Sequence, residues 1–199
     1  MRDEILAYKR ERILQEAVKL FYERGFTGTT LDDIAAALGV TKPFIYTHFK
    51  SKVELLAAIC LPTIEMSVEA AELAMESTGT AADRLRRLVT EFTAVVMRRQ
   101  ANIAVFFREE MHLEPDARAE IDGRRKEFDR ILSALLREGV ASGEFRIADV
   151  DLTALALGGM ISWTYTWFRP AGRLGVEELS ARMAELALQM AGVQQTAVV

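Results

Sequence analysis

Residues 29–52 read TTLDDIAAALGVTKPFIYTHFKSK, and this stretch decides the fold. Its apolar positions recur at helical spacing on both sides of Gly39. A tight turn between two short helices needs a residue that tolerates a positive φ, and glycine does. Thr30 can cap a helix that runs through Leu38, and Thr41 can cap the next one. The stretch therefore predicts a helix-turn-helix.

The second of these short helices has an unusual exposed face. At about 100° per residue from the inward-facing Ile45, Pro43 and Thr47 point almost directly away. Phe44 and Tyr46 flank them. A solvated helix would carry Glu, Lys or Gln here, whereas a helix in the major groove can place such groups against thymine methyls and phosphates. This face is therefore predicted to bind DNA.

Two lysines border the same face. Lys42 lies in the first turn, where base edges would be, and Lys52 can hold a backbone phosphate together with the first amides of a fourth helix. That helix is predicted to begin at a capping box, in which Ser51 and Glu54 cover unpaired N–H groups. Outside this motif both lysines would be ordinary surface residues, so their assignment depends on the motif.

In the rest of the chain, too, apolar residues recur at the spacing of a helix, and in no segment do they alternate as in a strand. The pattern predicts about nine helices in all, among them helices over about 5–24, 115–138, 150–168 and 176–190. Residues 193–199 resemble a frayed tail. The predicted fold is all-α, with a helix-turn-helix DNA-binding domain over 1–52 and a ligand-binding and dimerisation domain over 53–199.

Proline and glycine mark expected breaks in these helices. Pro62 is expected to kink or interrupt the fourth helix, because proline lacks an N–H and clashes with the preceding turn. Gly139 and Gly143 are expected to mark a loop after the long helix that begins near Pro115.

Composition places the chain among soluble globular proteins. Half of its 199 residues are hydrophobic and 27% are charged. No apolar run approaches the ~18 residues of a membrane-spanning helix, and the first residues lack the apolar core of a secretory signal. Cys60 is the only cysteine, so an internal disulfide cannot form. These features predict a cytoplasmic protein that does not bind membranes.

Charge is distributed unevenly along the chain. The net charge is −4, yet residues 1–54 hold nine basic and eight acidic residues, against 16 and 21 in the remainder. A nearly neutral N-terminal region followed by an acidic remainder suits a protein that contacts DNA through its N-terminal region alone.

No pattern typical of an enzyme is present. There is no Ser/His/Asp, Cys/His or phosphate-loop motif, and Glu109 and Glu110 are adjacent rather than on one helix face. His48 and His112 are far apart in sequence, which disfavours a metal site. We therefore expect no catalytic residue, metal or cofactor. A helical enzyme and an architectural DNA-binding protein remain the alternatives, although the latter would not need so large a C-terminal region.

Residues 9–60 closely resemble the DNA-binding head of the tetracycline-repressor (TetR) family. The residues that carry the resemblance are Ile13, Ala17, Leu20, Phe21, Gly25, Phe26, Thr30, Ile34, Ala35, Gly39, Val40, Tyr46, His48, Phe49, Ser51, Lys52 and Leu55.

The resemblance implies three kinds of DNA contact. Thr29 and Thr30 would hold phosphates at the start of the second helix. The base-reading positions are Lys42, Pro43, Phe44 and Thr47, with Thr41 at the helix start. The backbone-contacting positions are Tyr46, His48 and Lys52.

The C-terminal region is similar to a branch of the family that controls fatty-acid, steroid or other acyl-chain degradation. The segments that carry this similarity are 136–139, 143–145, 159–163 and 167–172. Members of that branch leave DNA when they bind acyl-CoA thioesters, and the family pairs its last two helices in a dimer interface. The resemblance implies a homodimeric repressor on a pseudo-palindromic double-stranded operator. Its effector would be a small apolar molecule, either an acyl-CoA or a lipophilic drug.

A candidate effector pocket combines bulky apolar side chains with one cation. Its members are Cys60, Phe92, Phe106, Phe107, Met111, Arg124, Met160 and Trp163. Ligand pockets are mostly apolar and methionine adapts to varied shapes, but a filled core has the same composition. If the ligand is a CoA thioester, its phosphates need cations, for which Arg108, Arg124 and Arg125 are candidates. Arg124 and Arg125, together with Lys126, could equally form a solvated face.

Overall fold

The computed structural model describes residues 2–193, and all regular structure in that part of the chain is helical. The all-α prediction is confirmed. Of the tail predicted over 193–199, residues 194–199 lie outside the described part. The α-helices of the described part are α1 Arg2–Arg24, α2 Leu31–Leu38, α3 Lys42–Tyr46, α4 Lys52–Glu76, α5 Ala81–Arg98, α6 Gln100–Glu109, α7 Pro115–Ala141, α8 Val150–Ser162, α9 Thr164–Trp167 and α10 Val176–Met190, with a 3₁₀ helix at Glu110–His112.

The helices form two compact units. The first unit comprises the residues up to Thr63 together with Gln100–Ile121, and the second comprises Ile64–Arg99 and the residues from Asp122 onward. In this division, residues 53–63 and the whole of α6 group with the helix-turn-helix.

The first unit is built on the apolar stripe of α1. Ile13, Ala17 and Phe21 are fully buried, as the helical period predicts. Ile34 of α2 and Ile45 of α3 are also fully buried, and α2 contacts both α1 and α3. Burial of each large apolar side chain contributes about 1.5–3 kcal/mol, so this small core is sufficient to hold two short helices against α1.

Pro62 does not interrupt α4, which runs without a break from Lys52 to Glu76. The expected interruption is therefore wrong, while the kink, the other expected outcome, stays a prediction. Proline removes a helix hydrogen bond and leaves carbonyls of the preceding turn exposed. The carbonyl that lacks its usual donor is that of Ala58, four residues before Pro62. Asn102 of α6 binds the next carbonyl, because its side-chain amide donates to Ile59 at 3.3 Å.

The second unit is built mainly on the packing of α5 against α10. Its first complete helix, α5, is capped by Thr80, which forms a capping box with Asp83. Glu144 adds a second cap, because its carboxylate accepts from the Ala81 and Ala82 amides at 3.2 and 3.0 Å. The start of α5 is thereby tied to the loop that follows α7.

Gly139 lies inside α7 and not in a loop, so that expectation is wrong. The ring of Phe145 packs where a Cβ of residue 139 would be, and only glycine leaves room for it. The Phe145 amide also donates to the Gly139 carbonyl at 2.9 Å. The glycine therefore marks a close approach and not a helix end.

The predicted helix over 150–168 is divided into α8 and α9 by a turn at Trp163. Two threonine hydroxyls bind carbonyls here: Thr164 donates to Ile161 at 2.7 Å and Thr166 to Trp163 at 2.8 Å. Side-chain hydroxyls that bond to nearby carbonyls compete with the helix ladder and bend it. No helix within residues 2–193 is long and apolar enough to cross a membrane.

Candidate nucleic-acid interface

The turn between α2 and α3 has the predicted geometry. Thr30 and Asp33 form a complete capping box at the start of α2, and the pKa of Asp33 is lowered by hydrogen bonds from the Thr30 hydroxyl and amide. Gly39 ends α2 in the left-handed region at φ 68°, and its amide bonds back to Ala35 and Ala36. The two helices are thus fixed by local contacts.

Thr29 has a structural role that the sequence did not predict. Its side chain is fully buried, and its hydroxyl donates to the Gly25 carbonyl at 2.9 Å. A hydroxyl enclosed in this way cannot reach a phosphate, so the contact implied by the resemblance is corrected. Thr29 instead holds the turn after α1, while the exposed Thr30 keeps its place at the α2 N-terminus.

The outward face of α3 is exposed as predicted. Thr41, Pro43, Tyr46 and Thr47 are all exposed, whereas Ile45 is buried. The Thr47 hydroxyl donates to the Phe44 carbonyl at 2.7 Å. Because its single proton is used, Thr47 can offer DNA only an acceptor oxygen and a methyl group.

Lys42 is already paired in the free protein. Its ammonium lies 2.6 Å from a carboxylate oxygen of Asp32, and this hydrogen bond raises the pKa of Lys42. The pair is exposed, so it contributes little to stability. Asp32 therefore orients Lys42 on the face that is predicted to meet base edges.

Lys52 ties the start of α4 to the turn before α2. Its ammonium donates to the carbonyls of Phe26 and Thr29 at 2.7 and 2.9 Å, and lies 4.2 Å from the centre of the Phe26 ring. Two of its three hydrogens are used internally, which leaves one for a phosphate.

The capping box predicted at the start of α4 forms in a modified way. The Ser51 hydroxyl accepts from the Glu54 amide at 3.0 Å, as expected. The Glu54 carboxylate, however, accepts from the Lys50 amide at 2.6 Å, one residue before the N-cap. The carboxylate thereby covers an additional amide of the loop between α3 and α4.

Two cations of α1 border this surface and were missed by the motif. Arg10 donates to the His48 carbonyl at 2.8 Å and lies 4.0 Å from the Phe49 ring centre. Lys9 lies 5.6 Å from the Phe44 ring centre. The sequence held a signal, because both precede the buried Ile13 by about one helical turn and must lie above the inward face of α1.

His48 lies among these groups. It is half-buried, and its ring meets that of Phe44 edge to face at 5.2 Å. Burial lowers its pKa, and the positive charges of Lys9 and Arg10 lower it further. His48 is thus held as a neutral ring beside the recognition helix.

The eight candidate effector residues divide between the two units. Cys60, Phe106, Phe107 and Met111 belong to the first, and Phe92, Arg124, Met160 and Trp163 to the second. Cys60 and Phe92 are buried, whereas Met111 and Trp163 are largely exposed. Burial raises the pKa of the Cys60 thiol to about 12, so it stays protonated and chemically inert. A shared pocket for the eight residues remains a prediction.

The candidate cations for CoA phosphates already have partners. Arg124 pairs with Glu127 at 2.9 Å, and Arg108 donates to the Tyr22 carbonyl at 2.9 Å. A separate cleft in the second unit, of about 280 Å³, combines apolar side chains with Arg169, which lies in one of the segments that carry the acyl-chain resemblance, and with Arg173. Its lining residues are Trp167, Phe168, Arg169, Gly172, Arg173, Leu174 and Leu179.

A capped helix-turn-helix with an exposed recognition helix, joined to a larger helical region, defines a DNA-binding transcriptional regulator. Residues 13–59 match the family model described as bacterial regulatory proteins, tetR family. Residues 78–191 match the model described as tetracyclin repressor-like, C-terminal domain. The chain therefore belongs to the tetracycline-repressor (TetR) family of transcriptional regulators, which confirms the resemblance seen in the sequence. It is a regulator and not an enzyme.

Relatives match over nearly the whole chain. The HTH-type transcriptional repressor KstR2 of Mycolicibacterium smegmatis is 26% identical over 192 residues, which cover 96% of this chain and 93% of the relative. The crystal structure of the TetR family regulator PfmR from Thermus thermophilus is 35% identical, with a TM-score of 0.83, and the match covers 89% of this chain and 97% of that one. The structure of AibR in complex with isovaleryl coenzyme A and operator DNA is 28% identical, with a TM-score of 0.76 and coverage of 89% and 96%.

Proposed function

We propose that this protein is a homodimeric, ligand-responsive transcriptional repressor that binds a pseudo-palindromic operator and leaves it when an acyl-CoA binds. The observation that carries the DNA-binding half is the exposed face of α3, where Pro43, Tyr46 and Thr47 stand away from the buried Ile45. Such a face suits contacts with thymine methyls and phosphates in a major groove.

Exposed apolar residues on the last helices support a dimer. Leu152 and Leu155 of α8 are 64% and 62% exposed, and Leu186 of α10 is 45% exposed. A single chain leaves this apolar surface in water, whereas a two-fold interface would cover it. Two heads placed about one DNA turn apart, roughly 34–36 Å or a multiple of it, would then read an inverted repeat.

Two observations favour an acyl-CoA as the effector. AibR, which shares the fold over most of this chain, has been crystallised with isovaleryl coenzyme A and operator DNA. The cleft near Trp167 places Arg169 and Arg173 beside apolar side chains, a combination that suits an amphipathic anion. A ligand needs only ~1.4 kcal/mol of differential affinity between the two states to weaken DNA binding tenfold.

The test is a titration of the protein–operator complex. The operator is first selected by the protein from a library of random duplexes, and release is then followed with acyl-CoAs of increasing chain length, free coenzyme A, free fatty acids and lipophilic drugs. Release by acyl-CoAs alone supports the proposal. Release by drugs but by no acyl-CoA would replace it with a lipophile sensor, and no release by any of them would leave a DNA-binding protein without this control.

An Arg173→Ala variant locates the anionic part of the ligand. It should raise the acyl-CoA concentration needed for release and leave operator affinity unchanged. Arg182→Ala is the matched control, because Arg182 also lies in the second unit but pairs with Glu178 at 2.7 Å. If the two variants respond alike, the effector's phosphates bind elsewhere, and Arg108, Arg124 and Arg125 become the next residues to replace.

A further inference from the structure

Lys9 occupies an unusual position on the first unit. It is exposed on α1, and its ammonium lies 5.6 Å from the ring centre of Phe44, a residue of the recognition helix. No carboxylate lies within ion-pairing distance of it among the side chains that the structure describes. Its positive charge is therefore not neutralised locally.

Neighbouring cations are in a different situation. Lys42 is paired with Asp32, Arg10 donates to a backbone carbonyl, and Lys52 donates to two. Each of these has already used part of its donor capacity inside the protein, and Lys52 keeps a single hydrogen for a phosphate. Lys9 lies over an aromatic ring instead, 5.6 Å from its centre. The ring can orient only the hydrogens that face it, so the others can donate to a phosphate.

We propose that Lys9 is a further DNA-contacting residue, which binds a backbone phosphate beside the groove that α3 enters, and that Phe44 acts on DNA by positioning Lys9. The proposal rests on the proposed function, since α3 must face DNA for Lys9 to reach it. It also changes the role of Phe44. That ring is half-buried and is contacted by both Lys9 and His48, so it serves as a platform and not as a base-reading group.

The chemistry of lysine determines what such a contact does. An ammonium is a compact charge without a fixed donor plane, so it strengthens binding to any phosphate and does not distinguish bases. A lysine side chain also loses considerable rotamer freedom when it is ordered. The Phe44 ring limits that freedom before DNA arrives, which is why the ring affects affinity through Lys9.

The electrostatics of His48 agree with this position of Lys9. After burial, its charge is the next contribution that lowers the pKa of His48, a residue predicted to contact the DNA backbone. The field of Lys9 therefore reaches the surface that the phosphates would approach.

The experiment measures operator affinity as a function of salt for full-length Lys9→Gln. Each phosphate contact contributes about −0.9 to the slope of log K against log salt concentration. We expect the slope to become shallower by about that amount, so that the affinity lost through the substitution shrinks about 3.5-fold between 50 and 200 mM salt. The loss should be equal for operator and unrelated duplexes.

Lys19→Gln is the matched control. It removes the same charge from the same helix, but Lys19 lies ten residues along α1, about 15 Å away, beside Glu16 at 3.7 Å. Its slope should equal that of the unaltered protein. Phe44→Leu keeps an apolar side chain but removes the aromatic ring that Lys9 lies over. It should lower operator affinity when Lys9 is present and have a smaller effect in the Lys9→Gln variant.

The outcomes separate this proposal from the proposed function. Equal slopes for Lys9→Gln and Lys19→Gln would overturn the role of Lys9, while a loss of affinity in Tyr46→Phe would still support DNA binding by α3. Failure to select any duplex would overturn the function itself.

An NMR titration of the free protein adds a readout without DNA: Lys9→Gln should raise the pKa of His48. An unchanged pKa of His48 would mean that Lys9 does not lie near the His48 imidazole in solution, and the proposal would fail.

Discussion

Replacement of Arg10 tests whether α1 holds the recognition helix in place. The Arg10 guanidinium donates to the His48 carbonyl, just beyond the end of α3, and lies over the Phe49 ring. Arg10→Met keeps most of the alkyl stem but removes the donor and the charge. The His48 carbonyl then loses its charged partner in a partly buried position, and α3 loses its attachment at one end.

The expected loss of stability follows from these two contacts. A hydrogen bond to a charged group contributes about 1.5–3 kcal/mol, and a cation–π contact at a partly exposed site about 0.5–1 kcal/mol. Their sum predicts a loss of roughly 2–4 kcal/mol in the free energy of unfolding. For a chain of this size the midpoint of thermal unfolding should fall by roughly 5–15 °C.

The measurements are thermal unfolding and operator affinity, with Arg12→Met as the control. Arg12 is exposed on the same helix, and its replacement changes the net charge equally. Arg10→Lys should be intermediate, because an ammonium restores a donor but not the planar stack on Phe49. If Arg10→Met and Arg12→Met have the same unfolding midpoint and the same operator affinity, then α1 does not fix α3 and the reasoning is refuted.

Three further predictions follow from the same geometry. Tyr46→Phe should weaken binding to all sequences because it removes a phosphate partner, whereas Thr47→Ala should change which operator a random library yields; unchanged affinity in both variants would contradict the assignment of the α3 face. Leu155→Glu should convert the dimer into a monomer at micromolar concentration in sedimentation, and a dimer that survives would place the interface elsewhere. Because burial, Lys9 and Arg10 lower the pKa of His48 in the folded state, protonation favours unfolding. Stability should therefore fall as the pH falls below about 6.5, the unfolded value, and chemical unfolding should show a weaker pH dependence in His48→Gln.

Local signals were sufficient to predict the helix-turn-helix. The cap at Thr30 and the turn at Gly39 depend on residues within one or two helical turns, so the stretch predicts its own structure. Thr41 occupies the N-cap position of α3, but its side chain makes no capping hydrogen bond, so that cap was predicted wrongly. The exposed face of α3 followed from the same period. The helix start at Pro115 was predictable for the same reason.

Contacts between residues distant in the chain could not be predicted. The Asn102 side-chain amide donates to the Ile59 carbonyl, 43 residues away, in the turn before Pro62. Lys52 looked like a free cation, yet two carbonyls 23 and 26 residues away bind it. The spacing of apolar residues shows which face of a helix is buried, but not which distant residues pack against that face. Neither contact could therefore be inferred from the spacing alone.

The placement of acidic residues explains how a head with nearly balanced charge can bind DNA. Asp33 caps α2, Glu54 accepts from the Lys50 amide, and Asp32 pairs with Lys42. These carboxylates are engaged by partners on their own unit, so their negative charge is partly compensated where a phosphate would approach. Lys9 and Arg10 of α1, by contrast, have no carboxylate partner among the contacts that the structure describes. The surface beside α3 is consequently more positive than a count of charges indicates, because affinity for phosphate depends on which charges remain uncompensated and where they lie.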